Sequence, residues 1–327
     1  MKSYTNTKPV FSESIMVIEE NVDVNHADTV NTATEQLLDN TLVLKSETEQ
    51  LEKEKGNKTE FATLDSAIYK GADLAVKFSE EIKKHSDVWA WLKSRIIAAD
   101  FSGLNIGDYV SFMANGKKVV AEIAGVDVYY DAYGGKVGHH IDFISRDCYP
   151  YTEGSAPIWK SGNNNGTADE SCPYMVSNIK TWLNNTLYGY LPAALKNAIS
   201  DKYNYLETRY SSSGELTDST GKSWKNMGKL WIPTEYEVYG TCVYGTPKYS
   251  EGFCVWYPLF QDGLRHRIKH NGDGGSRAPW WLVSAYSGNA YYACYVSSNG
   301  YPGYSDVNDP SFGVPVCFRI KRQSLNH

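Results

Sequence analysis

Between Trp280 and Phe318 the chain has no lysine, no arginine and no glutamate, and its only charges there are Asp306 and Asp309. Other absences narrow the reading of the whole chain. No run of about 18 apolar residues occurs, which excludes a helical membrane span. The start, Met1 to Thr7, has no apolar run behind it, so the expectation is no secretory signal and synthesis in the cytoplasm. The six cysteines (148, 172, 242, 254, 294, 317) include no Cys-x-x-Cys pair. They are expected as small buried apolar residues rather than bridges. His139-His140 and the other histidines form no zinc-ligand spacing with them.

Lys160 to Gly166 lacks the Gly-Lys-Ser order of a phosphate loop, and neither Gly-x-Ser-x-Gly nor His-Glu-x-x-His is present. Glu235 and Glu237 are expected on different faces, with Glu237 used in a helix cap, which argues against a glycosidase pair. Asn271 to Gly275 carries Asp273 alone where a dedicated calcium site needs several carboxylates, so a flexible loop is expected. Arg265, His266, Arg267 and Lys269 read as a solvated basic face, with an anionic ligand as the alternative. Net charge is −6 and the isoelectric point is about 5.7, which argues against a general nucleic-acid or anionic-membrane binder. No cofactor and no metal are expected.

What fills the uncharged stretch is aromatic and small polar. Six tyrosines stand at 286, 291, 292, 295, 301 and 304, among Ser, Asn, Gly and Ala. Tyrosine gives rigid amphipathic contact area at low entropy cost, and Ser, Gly and Asn give adaptable hydrogen bonding, which is the composition of a recognition surface. A solvated non-binding face would carry Lys and Glu. Ala290 to Val296 reads as a strand with Tyr292, Cys294 and Val296 on one face and Tyr291, Ala293 and Tyr295 on the other. Ser297 to Gly300 turns the chain, and Val314, Val316, Phe318 and Ile320 alternate as a closing strand with a buried face. The expected contact residues are Tyr286, Asn289, Tyr291, Tyr295, Ser297, Tyr301, Tyr304, Asp306 and Asn308. Trp280, Trp281, Val316 and Phe318 are expected as scaffold, and Tyr292 is left out because it shares the Cys294 face.

Trp280-Trp281-Leu282, the Ser/Asn/Tyr/Gly interior and Gly313-Val-Pro-Val-Cys-Phe-Arg-Ile320 resemble the C-terminal variable region of diversity-generating retroelement target proteins. Trp182-Leu183-Asn184, the Leu191-Pro192 helix start, the run Leu230 to Gly240, and Arg277 ahead of the tryptophans carry the same resemblance, over about two thirds of the chain. It implies a C-type-lectin-like fold with paired terminal strands and an outward-facing variable surface. In that family, adenine-directed copying turns Asn codons into Tyr, Ser, Asp and others, much of what stands from Tyr286 to Asn308. The formylglycine-generating oxidases share the fold, but no matching motif surrounds Cys294 or Cys317.

Ahead of this region Val30, Leu37, Leu44 and Leu51 are spaced by seven, and Thr34, Thr41 and Thr48 follow the first three by four. This heptad predicts a coiled-coil stem over 28–56, with three strands implied by the resemblance. Residues 1–27 read as an N-terminal attachment arm and 57–103 as a helical linker in which Trp89 and Leu92 pack. Residues 104–327 read as an α+β ligand-binding domain. Within it Asn115-Gly116 turns a hairpin that Val126 to Tyr130 extends, Pro173 and Pro192 start short helices, and Thr234-Glu235-Tyr236-Glu237 forms a capping box.

The function expected is a receptor-binding adhesin of a bacteriophage tail, located in the virion. It would form a homotrimer, join other tail proteins through its N-terminus and grip a host bacterial surface protein or glycan, without nucleic-acid binding or membrane insertion. A bacterial surface-display protein of the same fold is the first alternative, and an oxidase or cell-wall hydrolase the second.

Overall fold

The computed structural model describes residues 36–51, 71–215, 219–246 and 255–322. The chain divides into two units, Met1–Tyr69 and Lys70–His327. In the first, residues 36–51 form one α-helix. Its seam leucines Leu37, Leu44 and Leu51 are more than half exposed. Thr41 and Thr48 donate to the carbonyls of Leu37 and Leu44, 2.7 Å in each case, which satisfies both hydroxyls within the helix. Val30, Thr34 and the arm over 1–27 lie outside the described residues.

The second unit mixes α and β, and its sheets are antiparallel. Its strands are β1 (Tyr109–Ala114), β2 (Lys117–Val126), β3 (His140–Cys148), β4 (Ile199–Ser200), β5 (Lys202–Thr208), β6 (Gly221–Gly228), β7 (Leu230–Trp231), β8 (Lys269–His270), β9 (Arg277–Ala278), β10 (Trp280–Ala285), β11 (Tyr292–Val296), β12 (Pro302–Asp306) and β13 (Pro315–Lys321). The main sheet runs β1-β2-β3-β13-β4, and β7 also pairs with β13. Asn115 and Gly116, at φ 46° and 73°, make the β1–β2 turn with two left-handed residues, the geometry Asn-Gly is suited to. β13 sits inside the sheet because Pro315 to Ile320 is buried throughout, leaving no polar face to turn to solvent. The Thr234–Glu237 capping box is present and its helix, Glu235–Tyr239, ends at left-handed Gly240.

Two expectations change. Residues 71–103 belong to the compact unit rather than to a linker ahead of position 104. The helix Val88–Ile97 starts at Asp87, whose side chain accepts from Trp89 and Ala90 N–H, and it buries Trp89, Trp91, Leu92 and Ile96. Trp89 meets Phe112, Phe143 and Phe318 edge-on at 5.8–6.2 Å. That much aromatic surface needs the sheet to cover it. Val126 to Tyr130, expected to extend the hairpin, instead leaves the strand at Asp127, which has φ 53°.

Across the main sheet runs a buried ionic chain. Arg319 of β13 grips Asp142 of β3 with Nε and Nη2 at 2.6 and 2.7 Å. Tyr257 donates to Asp142 at 2.6 Å and accepts from Lys202 at 3.0 Å. Lys202 of β5 donates to Glu237, which also accepts from Tyr129 at 2.6 Å and Asn204 at 3.2 Å. The Arg319 guanidinium overcomes the burial of Asp142 and holds its carboxyl far below the usual carboxylate range.

His140 is buried beside this chain, donating from Nδ1 to the Gly138 carbonyl at 2.7 Å and accepting at Nε2 from Tyr129 N–H at 3.3 Å. The bond accepted at Nε2 requires the neutral ring, since the protonated ring has no lone pair there. Burial, with the Arg319 charge, lowers its pKa from 6.5 to about 4. The folded value lies below the unfolded one, so His140 favours folding above about pH 6.5, and that contribution is lost as the pH falls toward 4. Denaturant unfolding from pH 7 to 4 should show stability falling by about 3 kcal/mol from this source. His140→Gln should flatten that part of the profile; an unchanged slope would refute the assignment.

Candidate ligand-binding surface

β10, β11 and β12 form their own antiparallel sheet, in which Cys294 faces Tyr304, Tyr292 faces Asp306, and Tyr295 faces both Trp281 and Gly303. Cross-strand partners share a face, so the sheet sorts its tyrosines by register. Trp280, Trp281, Ala293, Cys294 and Val296 are fully buried, as are Val316 and Phe318 beneath. Trp159 donates its ring N–H to the Leu282 carbonyl at 2.8 Å, tying the 150s loop to β10.

On the Cys294 face the tyrosines stack. Tyr286 lies on Tyr304 with ring centroids 4.0 Å apart and planes 6° from parallel. Tyr292 follows at 5.7 Å from Tyr304, and Tyr244 meets Tyr304 edge-on at 5.0 Å. The strand alternation is as expected, but Tyr292 does not turn inward as its exclusion from the contact set assumed. Cys294 is covered while Tyr292, at the strand's start, stays half-buried in the stack. Tyr244 was missed, since nothing in the sequence near Gly240 to Gly245 signals that its loop returns to this sheet.

The other expected contact residues separate into kinds. Tyr291, Tyr301 and Tyr304 are the most open, at 54%, 59% and 40% exposure. Tyr295 is half-buried, its ring against Phe312 at 4.5 Å and Trp281 at 6.4 Å, lying over Gly303, where a Cβ would come within 2.6 Å of the ring. Asn289, Ser297, Asp306 and Asn308 take part in turns: Asn289 accepts from Tyr291 N–H at 2.8 Å, Ser297 from Tyr301 N–H at 3.1 Å, Asp306 from Asn308 N–H at 2.8 Å, and Asn308 from Gly162 N–H at 3.0 Å.

Four buried polar residues hold the stack's backbone. The Asn164 amide donates to the carbonyls of Tyr292 (2.6 Å), Asn289 (2.8 Å) and Tyr286 (3.4 Å), and its own N–H donates to Ala290. Arg209 donates to the Tyr286 carbonyl at 2.9 Å, and Glu207 accepts from Ala285 N–H at 3.0 Å. Glu235 accepts from the N–H groups of Tyr244 and Gly245. Its burial pushes its carboxyl up, and the backbone bonds only partly offset this. The sequence hid these roles because Asn163-Asn164-Asn165 reads as a polar loop like any other.

The basic cluster is not the solvated face expected of it. Lys269 is buried and donates to the Ser145 and Arg146 carbonyls, and His266 is buried against Glu122 at 3.2 Å. Asn271 to Gly275 is a bonded turn rather than a flexible loop: Asn271 and Tyr151 exchange two hydrogen bonds, and Asp273 pairs with Lys118 at 2.9 Å. Among the described residues no cluster of His, Cys, Asp or Glu could hold a metal ion. Cys148, Cys172, Cys242, Cys294 and Cys317 are free thiols. Burial pushes Cys148 and Cys172 up to about 12, and raises Cys294 and Cys317 well above the ordinary thiol value.

Residues 145–322, more than half of the chain, match a family model described as a domain of unknown function, DUF6273. No curated protein and no solved structure matches.

Replacing Asn164 by alanine would leave the Asn289 carbonyl an uncompensated polar group and remove one of two donors from the carbonyls of Tyr286 and Tyr292. The expected result is a loss of about 2–4 kcal/mol in unfolding free energy and a changed near-ultraviolet tyrosine signal. A variant with the parent's stability and signal would show that the amide does not hold the stack.

Proposed function

We propose that this chain, which belongs to the DUF6273 family, is a binding protein whose tyrosine stack grips a ligand on a host cell surface, and that it serves as the receptor-binding adhesin of a phage tail. The observation that carries the binding reading is the set of open rings, Tyr304 of β12 and Tyr291 and Tyr301 just ahead of β11 and β12, beside fully buried Trp280, Trp281, Ala293, Cys294 and Val296. Tyr304, held by its stacking on Tyr286, binds without losing side-chain freedom, and Tyr291 and Tyr301 add open aromatic area beside it. The lack of nearby Lys, Arg and Glu keeps desolvation cheap. The phage setting and the diversifiable surface rest on the resemblance to retroelement target proteins, as does the C-type-lectin-like class of the fold.

Binding rather than catalysis is favoured by the thiols. A nucleophilic cysteine needs a reachable thiolate, and burial holds Cys294 and Cys317 as neutral thiols. Among the described residues no helix is long and apolar enough to cross a membrane. Each head then binds modestly, and joining heads through the helix over 36–51 multiplies retention by effective concentration. The exposed Leu37, Leu44 and Leu51 are the surface that a three-stranded coiled coil would cover.

Two experiments test this. Labelled full-length protein is incubated with a panel of bacterial strains, and the variant carrying Tyr291→Ala, Tyr301→Ala and Tyr304→Ala is run beside it. At least tenfold lower retention on a bound strain, at unchanged melting temperature, is expected; undiminished retention would end the proposal. Light scattering after size exclusion should give a trimer for the parent and a monomer for Leu37→Asp/Leu44→Asp, and a monomeric parent would remove the stem.

A further inference from the structure

A second cleft, of about 480 Å³, opens beside the basic cluster, lined by Glu122, Arg146, Asp147, Arg265, His266, Ile268, His270 and the turn Asp273–Gly275. That volume lies in the range of small-ligand sites. Arg146 is the pre-organised group in it. Its Nε is anchored on Glu122 at 2.9 Å and its guanidinium lies over the Tyr109 ring at 4.8 Å. Its terminal Nη1 and Nη2 make no hydrogen bond among the described residues, and the side chain is 41% exposed. A guanidinium fixed at Nε with both ends open is the fork that receives a carboxylate in two parallel bonds. Glu122 does not compete for those ends. Burial alone would raise its carboxyl, but the bond from His266 and the charges of His266, Arg146 and Lys269 outweigh burial and keep it ionised and occupied.

The surroundings of the fork favour a singly charged ligand over a multiply charged one. Asp147 and Asp273, the latter paired with Lys118 at 2.9 Å, line the same cleft as Arg146 and Arg265 and weigh more heavily against a compact phosphate than against one carboxylate. They accept hydroxyl hydrogens instead. His270 adds another acceptor: its Nδ1 donates to Asp147 at 2.9 Å, which in the neutral ring leaves Nε2 with a lone pair. With Ile268 the one large apolar side chain among the lining residues, the cleft is too polar for a lipid chain. One carboxylate fork ringed by hydroxyl acceptors matches a ligand that carries a single carboxylate among several hydroxyls.

We propose that this cleft binds a carboxylated sugar of the hexuronate type, with the carboxylate on Arg146 and the ring hydroxyls on Asp147, His270 and Asp273. The cleft shares no lining residue with the tyrosine stack; the segment from Leu264 to Ile268 that borders it lies against Gly300, next to Tyr301.

The test is calorimetric titration of the full chain with sodium glucuronate, methyl glucoside and inorganic phosphate. Glucuronate should bind in the millimolar range or tighter, and the other two at least tenfold more weakly. Arg146→Gln should weaken glucuronate at least tenfold, and Arg146→Lys, which keeps the charge but not the fork, nearly as much. Asp273→Ala, which removes a hydroxyl acceptor at an exposed position, should weaken glucuronate and gives a second reading should either Arg146 variant fail to fold. The triple Tyr291/Tyr301/Tyr304 alanine variant should bind glucuronate as the parent does, which separates this site from the stack. Absent glucuronate binding, equal binding of phosphate, or equal binding by the folded Arg146 variants would each overturn the proposal.

Discussion

The arginine–aspartate clasp between β13 and β3 is the interaction on which the second unit is built. Arg319 and Asp142 are both buried, and removing one partner of such a pair typically costs 3–5 kcal/mol, roughly, because the other is left charged in a dry interior. The clasp does not stand alone. Through Tyr257 and Lys202 it reaches Glu237, which caps the helix Glu235–Tyr239 while accepting from Tyr129 and Asn204. One chain of bonds thus ties together two strands of the main sheet, the β5–β6 ribbon and the short helix ahead of the Tyr244 loop. A buried polar network satisfied at every member favours one arrangement over near alternatives, and here the arrangement it favours sets the position of the loop that completes the tyrosine stack.

Above that frame a second set of buried polar groups acts locally. Glu207 and Arg209 extend from β5, and Asn164 from the loop after β3, to hold the segment Ala285 to Tyr292. Glu235 does the same for Tyr244 and Gly245. The side chains that meet solvent therefore stand on backbone fixed from below by groups on several elements of the main body. The result is a stiff surface made of segments that lack regular pairing of their own, because the missing ladder bonds are supplied by side chains.

Much of this was legible in the sequence where a local rule decides. Asn115-Gly116, the Thr234–Glu237 cap, the presence of a closing strand and the burial of Trp280 and Trp281 all follow from turn chemistry, capping or period, although that strand is buried on both faces rather than one. The tyrosine-rich stretch announced itself by composition. What stayed hidden depends on contacts far apart in sequence. Trp89 looks like part of a linker helix until Phe112, Phe143 and Phe318 are seen around it. Lys269 looks solvated until the carbonyls of Ser145 and Arg146 are brought to it. Tyr292 was misjudged for a different reason: alternation fixes the face of a residue but not how far along the strand the cover extends.

The way Asn164 and Arg209 take hold has one further consequence. Asn164 grips the main-chain carbonyl oxygens of residues 286, 289 and 292 and Arg209 that of residue 286, and a carbonyl is the same whatever side chain follows it. The anchorage is therefore blind to spelling at those positions. Two copies of this chain could differ in every outward letter of the segment and still be moored by the same bonds, so novelty at the surface need not be bought with damage to the hull.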